Sequence, residues 1–156
     1  MNLWQKIGKL LLTALCCGVL FTTACSGNPE KQDIIALAKV FKDYEGKDQE
    51  FQQKIKTVQT QEDIKGVIAE YLPLFEKTPQ ELRQLTMKSE EGKKLQTELA
   101  DSYEKIANIT RKMLNSDLTD QQVMLEISKE STEVQMQMQK TVARISQLAG
   151  KHGLVK

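Results

Sequence analysis

Apolar residues recur at spacings of three and four along most of the chain beyond residue 30. This is the repeat of an amphipathic α-helix, whose apolar stripe faces a core. Glycine and proline are rare in the same region, which argues against a β fold with many turns. We therefore predict an all-α fold, an elongated antiparallel helical bundle of three long helices and one short helix with coiled-coil-like packing.

The first predicted helix spans about residues 30–59. Asn28 and Pro29 predict its start, as the N-cap and the first helical residue. Asp48 interrupts its apolar seam and Gly46 lies close by, so we expect a bend or a break there. The seam residues are Ile34, Leu37, Phe41, Tyr44, Phe51, Ile55 and Val58.

Proline positions set the predicted limits of the next two helices. A short second helix covers about residues 61–72, and we expect Pro73 to end or kink it because proline lacks an amide hydrogen. The segment Thr78–Glu81 reads as a capping box with a proline at the first helical position, which predicts the start of a third helix. That helix continues to about Leu114.

The fourth predicted helix follows a short turn at residues 115–118. The segment Thr119–Gln122 predicts its start as a second capping box, and Gly150 predicts its end. A short connection folds two helices back as an antiparallel hairpin, and here facing residues have numbers that sum to roughly 236. We expect residues 34–149 to form one helical bundle domain and residues 150–156 to form a flexible tail.

The first 24 residues have the layout of a secretory signal peptide. Lys6 and Lys9 give a basic start, and Leu10–Phe21 is a mostly apolar stretch. That stretch is shorter than the roughly 20 residues that a membrane-spanning helix needs. Thr22–Ala24 are small, as at a cleavage site. We predict that residues 1–24 are removed.

The segment Leu20–Cys25 resembles the lipobox of bacterial lipoproteins, although Thr22 departs from the usual leucine-like residue. The resemblance implies that Cys25 is acylated, becomes the mature N-terminus, and is followed by a short tether, so that residues 25–33 form the lipidated cysteine and its tether. Ser26, in place of aspartate, implies delivery to the outer membrane, facing the periplasm. The alternative is ordinary secretion with an unmodified Cys25.

The cysteine count favours the lipid anchor. Cys16 and Cys17 lie inside the predicted signal, so the mature chain keeps only Cys25. An exported chain with one cysteine has no internal disulfide, and a lone thiol there calls for an explanation. Acylation supplies one, since two or more acyl chains anchor a protein stably.

Charge and composition exclude nucleic-acid binding. The chain has 22 basic residues, and removing Lys6 and Lys9 leaves 20 against 21 acidic residues, interspersed throughout. Nucleic-acid binding needs a concentrated basic surface, often with aromatic side chains for stacking, and the sequence has neither.

The sequence offers no catalytic or metal-binding constellation. His152, the one histidine, lies in the predicted tail without evident partners. Met136 and Met138, two positions apart on a helix, point to nearly opposite faces, which disfavours a soft-metal site. We expect no cofactor, no metal and no enzymatic activity.

The densest apolar cluster of the mature chain surrounds Pro73, and two interpretations of it are open. Its residues either close one end of the bundle or form an exposed docking patch for a partner. Burial of the two aromatic side chains separates these alternatives. The cluster comprises Tyr71, Leu72, Leu74 and Phe75.

One short motif hints at a function. Leu118–Gln122 fits the pattern L-T-x-x-Q, which resembles a motif of the Spy/CpxP family of periplasmic chaperones. That resemblance covers five residues and implies binding of unfolded clients. Our leading expectation is instead a lipid-anchored bacterial envelope protein with a structural or protein-interaction role, held to the membrane by its lipid and contacting an unidentified envelope protein. Self-association is left open.

Overall fold

The computed structural model describes residues 27–42 and 47–154. These residues form five helices and no strand, which confirms the predicted all-α bundle. The predicted signal peptide and Cys25 lie outside the described residues. The helices are α1 (Pro29–Lys42), α2 (Lys47–Thr57), α3 (Gln61–Gln84), α4 (Glu90–Asn115) and α5 (Gln121–Lys151).

The three long helices, α3, α4 and α5, pack side by side in alternating directions. Ion pairs between exposed or partly exposed side chains bridge both helix pairs. Across the α4–α5 pair, bonded residues have numbers that sum to between 235 and 242, so the hairpin register lies close to the predicted sum of roughly 236. The bridging pairs are Arg83–Asp101, Arg83–Glu104, Arg111–Glu76, Lys112–Glu126, Lys112–Glu130 and Arg144–Glu91.

The two short helices cover the sides of this bundle. Phe41 of α1 stacks on Tyr103 of α4, with ring centroids 5.9 Å apart. Phe51 of α2 meets Tyr71 of α3 edge to face at 4.8 Å. The core is continuous from α1 to α5, and its largest fully buried side chains are Phe51, Phe75, Ile34, Leu37, Ile64, Ile68, Leu82, Leu95, Leu99, Met113, Leu118 and Ile127.

The predicted helix limits at the two prolines are wrong, because α3 runs through both Pro73 and Pro79. Each proline removes a backbone hydrogen bond, at a cost of about 3 kcal/mol relative to alanine. The apolar face of α3 continues past both, and its burial outweighs that cost. The hydroxyl of Thr78, predicted as an N-cap, instead donates to the Leu74 carbonyl within the helix.

The chain breaks later, at residues 85–89, inside the predicted third helix. Ser89 is the N-cap of α4, and its hydroxyl accepts from the Gly92 amide at 2.9 Å. The Gln96 side-chain amide donates to the Leu82 and Leu85 carbonyls, each at 2.7 Å. The Leu82 carbonyl also accepts from the Leu85 amide, so Gln96 of α4 adds a second donor there and supplies a donor to the Leu85 carbonyl.

The predicted capping box at Thr119 is also wrong. Asp120 caps α5, with its carboxylate accepting from the Gln122 and Val123 amides. Thr119 instead bonds to Asp117 in the preceding turn. A capping box does occur at the start of α3, between Thr60 and Asp63.

The C-terminal segment is ordered further than predicted. Gly153, at φ 64°, takes the left-handed conformation that ends α5, so Gly150 is not the stop. The Gly153 amide donates to the Gly150 carbonyl and the Leu154 amide to the Ala149 carbonyl, the two bonds of a Schellman motif. Leu154 is fully buried. The predicted tail from residue 150 is therefore part of the bundle up to Leu154.

The start of α1 agrees with the sequence. The Asn28 side chain accepts from the Lys31 amide, and Pro29 is the first helical residue. However, α1 includes residues 29–33, which the sequence assigned to the tether, and Asp33 is buried. The first helix thus starts where predicted, but the bundle domain begins at residue 29 and not at residue 34.

Candidate functional site

Three segments meet at the end of the bundle where α1 begins. We call this the proximal end, formed by residues 27–33, 85–94 and 148–154. The opposite, distal end is formed by residues 58–65 and 112–126. There the Leu118 amide donates to the Gln61 side chain at 2.7 Å, joining the α4–α5 turn to the start of α3.

Asp33 fastens the proximal end. Its carboxylate accepts from the amide of Lys88 at 2.9 Å, from the amide of Ser89 at 2.7 Å and from the Ser89 hydroxyl at 2.6 Å. Asp33 is 2% exposed, and its negative charge lies at the N-terminus of α4, where the helix dipole favours an anion. We call this set of bonds the Asp33 latch.

Gly92 leaves the space that the Asp33 latch occupies. A Cβ atom at position 92 would lie 2.6 Å from both the Cβ and the Cγ of Asp33. Neither distance is compatible with a real side chain, and the Asp33 Cβ is fixed to the α1 backbone. A glycine at this position is therefore needed for α1 to approach α4.

A second polar contact joins the first turn of α1 to the end of α5. Glu30 bonds to the His152 ring at 2.6 Å and forms an ion pair with Lys151 at 3.2 Å. The hydrogen bond from His152 and then that from Lys151 lower the pKa of Glu30. His152, expected in a loose tail, is thus a structural partner of α1.

Charged side chains are distributed unevenly between the two ends. At the proximal end, exposed lysines surround acids that are mostly turned inward. Among these acids Asp33 is buried, and the Glu30 and Glu91 side chains are only 24% and 22% exposed. The distal end instead exposes the acids Glu62, Asp63, Asp117, Asp120 and Glu126.

The apolar cluster around Pro73 lies mainly inside the bundle. Tyr71 is 3% exposed and Phe75 is fully buried, while Leu72 and Leu74 are partly buried against the core. Burial raises the pKa of the Tyr71 hydroxyl. Burial of the two aromatic side chains argues against an exposed docking patch. The cluster lies midway along α3, however, so it closes neither end of the bundle.

The outer face of α5 exposes apolar side chains. Leu125 is 72% exposed and Met136 is 51% exposed, the two exposed large hydrophobic residues of the described ranges. Because the two residues are eleven positions apart on a helix with 3.6 residues per turn, their side chains point from the helix axis in directions that differ by only about 20°. Thr132, Gln139 and Ala143 lie on the same exposed line, which carries no charge at these five positions. We call these five residues the α5 face.

A polar cleft of about 320 Å³ lies between α3 and α4. Arg83 and Arg111 line it, and both form ion pairs with carboxylates of the neighbouring helix. Its charges are thus already matched by the protein's own side chains. The described residues contain no cluster of histidine, cysteine and acidic side chains suited to a metal ion. None of their helices is long and apolar enough to cross a membrane.

The bundle from α1 to the last turn of α5 corresponds to one known family. Residues 31–150 match the family model described as Uncharacterised lipoprotein PM1805. The chain belongs to this lipoprotein family. The matched range begins six residues after Cys25, so the family assignment supports the lipoprotein interpretation independently of the lipobox residues.

No curated protein and no solved structure gives a significant match to this lipoprotein. The family match gives no support to the resemblance to Spy/CpxP. In the structure, Leu118 of that motif is fully buried and Asp120 caps a helix, so both residues have structural roles.

Sequence reasoning missed Asp33 and its contact with Gly92, on which the proximal end depends: the seam pattern places Gly92 opposite α5, whereas the structure places it against α1. A signal for Asp33 was present, because positions 33, 37 and 40 share one helical face and the last two are apolar. An acid in an apolar seam needs a buried partner. Its partner amides come from residues more than 50 positions away, and no local pattern identifies them.

Proposed function

We propose that this lipoprotein is held to a bacterial membrane by a lipid on Cys25 and that it acts by binding a protein partner, without catalysis. The family assignment and the lipobox-like segment support the anchor. Ser26 favours the periplasmic side of the outer membrane as its site. The proposed signal, residues 1–24, would be removed before the protein reaches that membrane.

The α5 face is the observation that carries the interaction role. Helical surfaces in water normally carry charged side chains. An uncharged strip that exposes two large apolar side chains is therefore a candidate interaction site. Leu125 and Met136 are exposed and are not part of the buried core. Thr132 and Ala143 are small enough to let a partner helix approach closely. The α5 face therefore suits docking of a helical or extended protein segment.

Site-specific photo-crosslinking in cells tests the interaction role. A photoreactive amino acid at position 136 should give a discrete crosslinked product, because that side chain projects from the α5 face. The same amino acid at position 80, exposed on α3, is the matched control. Absence of a product at both 125 and 136, with normal protein levels, would count against the α5 face.

Metabolic labelling with palmitate tests the anchor separately. Label should be incorporated into the wild-type protein and lost in a Cys25→Ser variant. Label that persists in the variant would show that Cys25 is not the acylated residue.

A further inference from the structure

We propose that the proximal end of the bundle binds the anionic lipid headgroups of the membrane that carries the anchor, so that the bundle stands with its distal end away from the lipid. The proposal rests on the lipid anchor at Cys25 put forward above. It adds a second membrane contact, made by the folded protein itself.

The short length of chain between Cys25 and the bundle supports the proximal end as the part of the protein that faces the membrane. Only residues 26–28 separate Cys25 from Pro29, the first helical residue of α1. Four extended steps along the chain reach about 14 Å at most. A lipid on Cys25 therefore keeps the proximal end close to the headgroups, whereas the distal end lies the length of α5 away, about 46 Å for 31 residues.

The exposed charge of the proximal end suits an anionic surface. The Lys93 and Lys151 side chains are 55% and 64% exposed. Lys88 and Lys94 are exposed as well, and Lys31 is half-buried. These five lysines are the basic residues that an approaching leaflet would meet.

Most acids at the same end are withdrawn from that surface. Asp33 is engaged in the latch, Glu30 bonds to His152 and Lys151, and Glu91 pairs with Arg144. Among them, only Glu90 is widely exposed, at 91%, and it pairs with Lys93. The Glu30 and Glu90 pairs each engage one of the five lysines. Lys31, Lys88 and Lys94 remain without an ion pair among the described residues, and they carry the attraction to an anionic surface.

The charge of the whole protein would not predict such binding. The mature chain has 20 basic and 21 acidic residues, so it carries almost no net charge. The distal end exposes several acids, which an anionic leaflet repels. Attraction at one end and repulsion at the other would orient the bundle, and the attraction falls off within a Debye length, about 10 Å at 0.1 M salt.

Vesicle sedimentation tests the proposal without the lipid anchor. The mature chain carrying Cys25→Ser is mixed with phosphatidylcholine vesicles, either pure or containing phosphatidylglycerol. A test variant loses three proximal lysines, and a control variant loses three exposed lysines elsewhere. The test variant is Lys31→Gln, Lys88→Gln and Lys94→Gln, and the control variant is Lys56→Gln, Lys129→Gln and Lys140→Gln.

We expect binding to the anionic vesicles, none to the neutral ones, and loss of binding at high salt. Each lysine near an anionic surface contributes about a five-fold change in partitioning, so the test variant should bind about a hundred-fold more weakly. The control variant should bind as the parent does. Circular dichroism serves as the control for folding, and both variants should keep the helical content of the parent.

Equal binding to both vesicle types, equal loss in the two variants, or no binding of the parent chain would overturn the proposal. Binding to peptidoglycan in place of vesicles would overturn it as well. These outcomes are distinct from failure of the anchor, because the Cys25→Ser chain carries no lipid and palmitate labelling does not depend on the lysines. In the lipidated protein, a headgroup quencher should quench a fluorophore at residue 90 but not one at residue 117.

Discussion

Replacing Gly92 with alanine should destabilise the protein, although the same change in most helices stabilises them. Position 92 lies in the first turn of α4, where alanine is normally favoured over glycine by about 1 kcal/mol. Here the added Cβ would lie 2.6 Å from the Asp33 Cβ. Rotation of the Asp33 side chain cannot relieve that contact, because Cβ is fixed to the backbone. Hence α1 itself has to move away from α4.

The loss of stability caused by Gly92→Ala can be estimated from the Asp33 hydrogen bonds that break when α1 moves away from α4. Asp33 accepts from two amides and a hydroxyl, at 2.6 to 2.9 Å. A hydrogen bond to a charged group contributes about 1.5–3 kcal/mol, and a buried charge left without partners costs more. Weakening two such bonds outweighs the helix propensity of alanine. We expect a net loss of about 2–4 kcal/mol in the free energy of unfolding.

Urea unfolding followed by circular dichroism measures this loss. Gly66→Ala is the matched control, since a Cβ at that exposed α3 position meets nothing within 4 Å. It should stabilise the protein by up to about 1 kcal/mol. A second background, Asp33→Gly, removes every side-chain atom that the new Cβ would meet. In that background Gly92→Ala should also become stabilising.

The reversal of sign between the two backgrounds is the decisive result. If Gly92→Ala raises the wild-type midpoint as much as Gly66→Ala does, α1 does not approach α4 in the way described. A loss of equal size with and without Asp33 would place the cause elsewhere in α4.

Three further changes probe the fold. Glu30→Gln should lower stability at neutral pH but have little effect in acid: the folded-state pKa of Glu30 is lowered, so its contribution is complete above the unfolded value near 4.5 and is lost as pH falls through the lowered pKa. Urea unfolding at pH 7 and pH 3 compares the two proteins, and an undiminished difference in acid would contradict a role for the Glu30 charge. Pro73→Ala, at an exposed site in α3, should raise the free energy of unfolding by up to about 3 kcal/mol by restoring a helical amide; a lower thermal midpoint would mean that the proline is needed there. Gln96→Ala should cost about 1 kcal/mol, because the Leu85 carbonyl loses its donor while the Leu82 carbonyl keeps only the Leu85 amide; an unchanged urea midpoint would show that water replaces the amide at no cost.

The sequence predicts the helical class and the α4–α5 register because both depend on apolar spacing and on one short turn. Helix limits were harder to predict. A proline or a threonine has the same local signal wherever it occurs, but Pro73 and Pro79 lie on a helix whose buried face continues past them. Tertiary burial decided their conformation, and local propensity did not.

The candidate sites also divide into those with a local sequence signal and those that depend on tertiary packing. Cys25 could be singled out from its neighbours in the chain, since a processing motif is local. The Asp33 latch and the α5 face could not, because each depends on which helix faces lie against other helices. Leu125 belongs to none of the predicted apolar seams. Its 72% exposure in the structure is what distinguishes it from a core leucine.

The bond between Glu30 and His152 has a consequence for the order in which the chain folds. It joins residues 122 positions apart, so the first helical turn finds this partner only when the last turn is present. Ribosomes and export channels deliver a chain from its N-terminus, and long-range contacts form late. The first turn of α1 thus makes this contact last, although Asp33 can bond to residues 88 and 89 earlier. The bundle is therefore complete only once residues 151 and 152 have been delivered.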